Sequence, residues 1–166
     1  MQLNHDATNF KKQTFPITLV CENVTNAPNI GSFFRTADAF GIEHLVFCGE
    51  QISLGRKMTK TSRATEKYVN YEIKSDAFEV ISALKGKDYH IVALEITTKS
   101  TALIEYQFPK NTPIAIVIGD ENFGVSEAIL DISDAVIHID MFGQNSSMNV
   151  VQATSVTLYE ITKQLR

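Results

Sequence analysis

The hydrophobic positions of this chain fall into short, nearly continuous runs separated by segments of helical period. ITLVCENV (residues 17–24), HLVFCG (44–49), HIVALEI (90–96), PIAIVIG (113–119) and AVIHIDM (135–141) are rich in β-branched residues and read as strands. Near-continuity implies burial on both faces, which is the mark of a parallel sheet. YVNYEI (68–73) alternates weakly, as an edge or short strand would. Between these runs, residues 30–40 are helical and Gly41 ends them. Asp76 caps a helix over 77–85, with Gly86 as its stop. Residues 58–67 are polar and basic, a helix or an ordered loop. Short helices are expected near 100–106 and over 126–130, and a closing helix over 148–165. Strands alternating with helices predict a single-domain α/β layer fold with a mostly parallel sheet flanked by helices. No repeat or linker interrupts residues 1–166, which read as one domain with residues 1–16 as an N-terminal extension.

Composition changes this picture little. A chain of 166 residues can bury a core without staples. The net charge of −4 weighs against a sequence-independent nucleic-acid coat protein, although a local basic patch could still bind phosphate. Cys21 and Cys48 sit inside apolar runs and read as reduced, buried strand residues. No run approaches the roughly 20 apolar residues of a membrane span, and MQLNHDATNFKK lacks a signal core, so a cytoplasmic protein is expected. His5, His44, His90 and His138 are scattered without ligand spacing, and no metal site is expected.

Ligands of open parallel sheets bind outside the carboxyl ends of the strands, so the loops there carry most weight. Three are unusual. In NAPNIGSFFRTADAFG (26–41), Gly31 is expected to open a helix whose free N–H groups could bind an anion. Arg35 would lie about one turn further, its fork within reach of the same phosphate. The bland alternative is a capped helix with a solvent-facing arginine. IGDENFG (118–124) is a polar loop after the most apolar strand, and is neither a P-loop nor a dinucleotide fingerprint. In MFGQNSSMNV (141–150), Gln144, Asn145, Ser146, Ser147 and Asn149 exceed what one helix cap needs.

Together these stretches resemble a known family. N-x-G-x-x-x-R-x-A-x-x-F-G is Asn29, Gly31, Arg35, Ala37, Phe40 and Gly41. I-G-x-E-x-x-G is Ile118, Gly119, Glu121 and Gly124. I-x-M-x-G-x-x-x-S-x-N-V is Ile139, Met141, Gly143, Ser147, Asn149 and Val150. The chain, from about Ile17 to Glu160, resembles the SpoU/TrmH family of RNA ribose 2′-O-methyltransferases, within the SPOUT class.

The resemblance implies an α/β domain with a C-terminal deep trefoil knot, S-adenosyl-L-methionine as cofactor and a homodimer. It implies a ribose 2′-OH of tRNA as first substrate, with rRNA second. It makes Arg35 the central catalytic residue, with Asn29, Glu121, Ser147 and Asn149 around it. It places the cofactor against Leu94, Glu95, Ile96, Gly119, Glu121, Ile139, Met141, Met148 and Asn149. The one concentration of positive charge, Arg56, Lys57, Lys60, Arg63 and Lys67, would with Arg35 face the RNA. Two other readings stay open at this point: a catalytically inactive knotted module that binds RNA or cofactor, and a nucleotide-binding α/β enzyme of other chemistry.

Overall fold

The computed structural model describes residues 8–166. His5 and the other residues before Thr8 that the N-terminal reading drew on lie outside this range. Strands β1 (Phe15–Glu22), β2 (Ile42–Cys48), β3 (Tyr71–Lys74), β4 (His90–Leu94), β5 (Thr101–Ala102), β6 (Ile114–Ile118) and β7 (Ala135–His138) form one sheet in the order β3-β2-β1-β6-β4-β7-β5. Every pairing is parallel. The helices are α1 (Ala27–Phe40), α2 (Arg56–Ser62), α3 (Ala77–Lys85), α4 (Glu127–Ile132) and α5 (Val150–Leu165). A 3-10 turn, Thr65–Lys67, follows α2.

Alternation along the strands divides the core into two layers. Ile17, Leu19 and Cys21 of β1 and Ile114, Ile116 and Ile118 of β6 pack with Ile30, Phe33 and Phe34 of α1, Met58 of α2 and Leu158 and Ile161 of α5. Val20, Ala115 and Val117 face the other way, against Ala77 and Ile81 of α3 and Ile129 of α4. All five residues of β6 are buried, as its run of apolar residues requires. Both cysteines are free and buried. Burial pushes the Cys21 thiol well up and the Cys48 thiol up to about 12, so neither is a ready thiolate at neutral pH.

Four expectations are corrected. Helix α1 starts at Ala27, with Pro28 in its first turn and the Asn26 side chain accepting from Asn29 N at 3.1 Å. A proline in the first turn starts a helix instead of preceding it. Gly31 is therefore interior, and Arg35 lies more than two turns in, about 12 Å along the axis from Ala27. The expected anion site at Gly31 with Arg35 beside it does not form. Residues 100–106 are not helical: β5 pairs with β7, and a turn follows in which Glu105 N donates to Ala102 O. The last strand stops at His138, because its edge partner β5 is two residues long, and residues 139–141 leave the sheet. Strand β1 begins two residues earlier than expected; Pro16 cannot donate to a ladder, and the register shifts between Phe15 and Thr18.

Gly31 instead sets the approach of α2 to α1. A Cβ there would lie 2.5 Å from Met58 O and 2.8 Å from Thr61 Cβ. Gly31→Ala is expected to force the two helices apart and to destabilise the fold by about 1–3 kcal/mol. Equilibrium urea unfolding measures this, and an unchanged midpoint would contradict the close packing assigned to Gly31.

Candidate active site at the carboxyl edge of the sheet

All seven strands run the same way, so their carboxyl ends share one edge, and a cavity of about 580 Å³ opens there. Three segments frame it: residues 94–96 from the end of β4, residues 118–124 from the end of β6, and residues within 138–150, from the end of β7 to the start of α5. Leu94, Ile118, Ile139, Met141, Met148, Val150 and Ala153 give it an apolar lining, while Glu95, Asp120, Glu121, Ser147 and Asn149 bring polar groups. A cleft of this size and character suits a small-molecule ligand.

The loop after β6 is fixed by its own side chains and its neighbours. Asp120 Oδ1 accepts from Asn122 N at 2.8 Å and Phe123 N at 2.7 Å. Asp120 and Gly124 form an antiparallel bridge, and Gly124 takes φ 67°, a conformation that favours glycine. A Cβ at Gly119 would lie 1.9 Å from the Gly124 carbonyl carbon, so the two limbs meet backbone to backbone. Glu95 accepts from Ile96 N at 2.9 Å and, across the cleft, from Val125 N at 3.0 Å.

Side chains from three separate segments then meet. Asn29, in the first turn of α1, donates through Nδ2 to Glu121 Oε1. Asn149 donates through Nδ2 to Asn29 Oδ1 at 3.3 Å. Asn149 Oδ1 meanwhile caps α5, accepting from Val151 N at 2.9 Å and Gln152 N at 3.4 Å. One amide thus serves the helix with its oxygen and the site with its nitrogen.

The sequence model of the SpoU rRNA Methylase family matches residues 16–159. The chain belongs to this family. It is 29% identical over 154 residues to the tRNA (guanosine(18)-2′-O)-methyltransferase of Aquifex aeolicus, covering 93% of this chain and 72% of that protein. It is 30% identical over 150 residues to the enzyme of the same name from Thermus thermophilus, covering 89% of this chain and 75% of that one. The crystal structure of the Aquifex aeolicus TrmH/SpoU tRNA modifying enzyme superposes with a TM-score of 0.81 over 93% of this chain and 77% of its own. An S-adenosylmethionine-bound rRNA methyltransferase from Sinorhizobium meliloti, 20% identical, shares the fold with a TM-score of 0.84, covering 95% of this chain and 59% of that one.

Each of Leu94, Glu95, Ile96, Gly119, Glu121, Ile139, Met141, Met148 and Asn149, expected from the family resemblance to surround a cofactor, lines the cavity. Of the five expected catalytic residues, Asn29, Glu121 and Asn149 are joined by hydrogen bonds and Ser147 lines the cavity. Arg35 is exposed on α1, outside the lining, and its side chain makes no hydrogen bond or ion pair to another described residue. Arg56, Lys57, Lys60, Arg63 and Lys67 are exposed on or beside α2, which packs against α1. Val150, a motif position with no role expected, also lines the cavity, as do Phe123, His138 and Ala153, which the sequence reading did not place there. His138 looked like an isolated strand histidine, whereas its ring meets Ser100 Oγ at 2.9 Å and Asp140 at 3.5 Å.

Asn149→Ala removes the α5 cap and the link to Asn29 together. A loss of about 0.5–2 kcal/mol is expected from the cap. Asn149→Asp keeps an acceptor for Val151 N and should recover most of that stability in urea unfolding without restoring the donor to Asn29. Equal losses in the two variants would show that the cap is not the stabilising contact.

Proposed function

We propose that the chain methylates a ribose 2′-OH of tRNA, using S-adenosyl-L-methionine, with rRNA as the second substrate class. The observation that carries this reading is the meeting of Asn29, Glu121 and Asn149, one from each family motif, at the rim of a cavity of small-molecule size. The names of the relatives support tRNA first, and the family description keeps rRNA second. Family membership together with these residues favours an enzyme over a binding-only module.

The lining fits the cofactor. Leu94, Ile139, Met141 and Met148 offer apolar contact to a purine, and the close-packed turn at Gly119 presents backbone polar groups beside them. When bound, S-adenosyl-L-methionine supplies an electrophilic methyl group on a sulfonium. The residues of this chain have to align the ribose oxygen with that methyl and assist loss of a proton from a weak acid. Alignment can lower the barrier by about 7–11 kcal/mol at best. Arg35 is assigned to clamp the target phosphate and stabilise the developing alkoxide, since a guanidinium stays protonated in proteins and is a poor base. Its exposed position without a protein partner suits a group that takes its partner from the substrate. Asn29 orients the ribose. Glu121, held by Asn29, positions the substrate. Ser147 and Asn149 hold the nucleotide or the polar end of the cofactor.

Residues 1–166 act in this reading as one methyltransferase domain, and the family's trefoil knot is part of the same proposal. Two copies pair through α5, whose outer face leaves Val156 and Tyr159 at 45% and 63% exposure. The cytoplasm is the compartment that fits an RNA substrate of this kind. Among the described residues no helix is long and apolar enough to cross a membrane.

Tritiated methyl transfer from S-adenosyl-L-methionine to unmodified tRNA and rRNA pools, followed by nucleoside analysis, tests the reading. A 2′-O-methylnucleoside is expected in the tRNA pool, and absence of incorporation into either pool would sink the proposal. Arg35→Ala should retain cofactor binding in calorimetry and lose turnover by a factor of about 10² or more. Loss of cofactor binding in that variant would refute the role given to Arg35.

The basic segment makes a separate prediction. Replacing Arg56, Lys57 and Lys60 by Ala should weaken RNA binding and flatten the plot of log affinity against log salt by about 0.7–0.9 for each phosphate that is no longer neutralised. A slope equal to that of the wild type would remove α2 from the RNA face.

A further inference from the structure

One acidic side chain at the carboxyl edge has no part in the chemistry above. Glu22 closes β1, one residue after Cys21, which pairs with Ile118 at the end of β6. At 8% exposure it is the only buried acidic residue among the described residues. A carboxyl group withdrawn from water is kept where its oxygens find donors. Glu22 Oε2 accepts from Ser126 N at 2.8 Å. Ser126 holds the N-cap position of α4, yet its own side chain makes no capping bond. Glu22 therefore supplies from a different strand the acceptor for the N-cap amide, the place that a glutamate at the third helical position takes in a capping box.

The preceding amide is held in the same way from the other side. Val125 N donates to Glu95 Oε2 at 3.0 Å, and Glu95 follows β4. Strand β6 lies between β1 and β4, so two carboxyl groups from its two neighbours grip successive amides where the 119–124 loop ends. Gly124 makes room for this grip, since a Cβ there would lie 2.2 Å from Glu95 Oε2. The loop so held carries Glu121, which meets Asn29.

We propose that Glu22 is a positioning residue for methyl transfer: with Glu95 it fixes the exit of the 119–124 loop, and so sets the pose of Glu121 and of the backbone that walls the cavity. The proposal rests on the methyltransferase reading of the site. Glu22 is buried beside the exit of the loop and is not among the residues that line the cavity, so its effect should fall on kcat.

The test compares Glu22→Ala, Glu22→Gln and Ile81→Val in full-length protein, well below their melting temperatures. An in-vitro-transcribed tRNA pool that the wild type methylates is the substrate. Ile81 is buried on the inner face of α3, outside the machinery, and its variant loses one methylene from the core. Glu22→Ala is expected to lower kcat by about ten- to a hundredfold with the RNA KM changed by less than about threefold. Glu22→Gln keeps an oxygen acceptor for Ser126 N and should restore kcat to within about threefold of wild type. Ile81→Val should keep wild-type kcat despite its lower melting temperature. A wild-type kcat in Glu22→Ala would overturn the proposal. So would a glutamine variant as slow as the alanine one, or an equal loss in Ile81→Val. If the wild type methylates no RNA, the methyltransferase reading fails first, and the role of Glu22 falls with it.

Discussion

The fold depends on burying β6 on both faces. Its five residues are enclosed by strands on either side and by helices above and below, which is possible only in a sheet covered on both faces. Every strand in the sheet is parallel, so each chain crossing returns to the same side, and all the strand ends that could carry polar loops gather at one edge. The cavity follows from this arrangement. Apolar residues at the ends of strands and just beyond them, such as Leu94 and Ile139, line it, and the backbone that leaves the sheet there must find new hydrogen-bond partners.

Those partners are carboxyl groups. Asp120 takes two amides at the start of the loop after β6, while Glu95 and Glu22 take one each where it ends. A loop held at both ends can present Glu121 without ordering it anew for each substrate, which is how preorganisation lowers a barrier. The same sharing appears at Asn149, whose amide caps α5 with one atom and reaches Asn29 with the other. Stability and site geometry use common groups here, so substitutions at these positions affect both.

Charge is arranged by region. The chain is acidic overall, at −4, yet Arg56, Lys57, Lys60, Arg63 and Lys67 lie together on and beside α2. Gly31 lets α2 lie close against α1, the helix that carries Asn29 and Arg35. A backbone contact between two helices thereby sets how far the basic segment stands from the site.

The class of fold and much of the candidate site were legible in the order of residues alone. Runs of β-branched residues mark strands buried on both faces, and glycines and capping side chains such as Asp76, Gly41 and Asn149 act on their own neighbours, so local order reveals them. The family resemblance named the residues of the expected cofactor wall, and they lie at or just beyond the ends of strands that the hydrophobic pattern locates. What depends on pairing across the sheet emerged only in the folded chain. Strand β7 stops at His138 because β5 is short, and His138 joins the cavity with Ser100 and Asp140 as neighbours. Gly31 proved to be a packing position, since the α2 backbone that requires it belongs to a separate element of the chain. Glu22 reads in the sequence only as a polar residue within the first strand, and its partner Ser126 is 104 residues away. No local pattern reports a contact over that separation; it exists only because the strand order brings β1 beside β6.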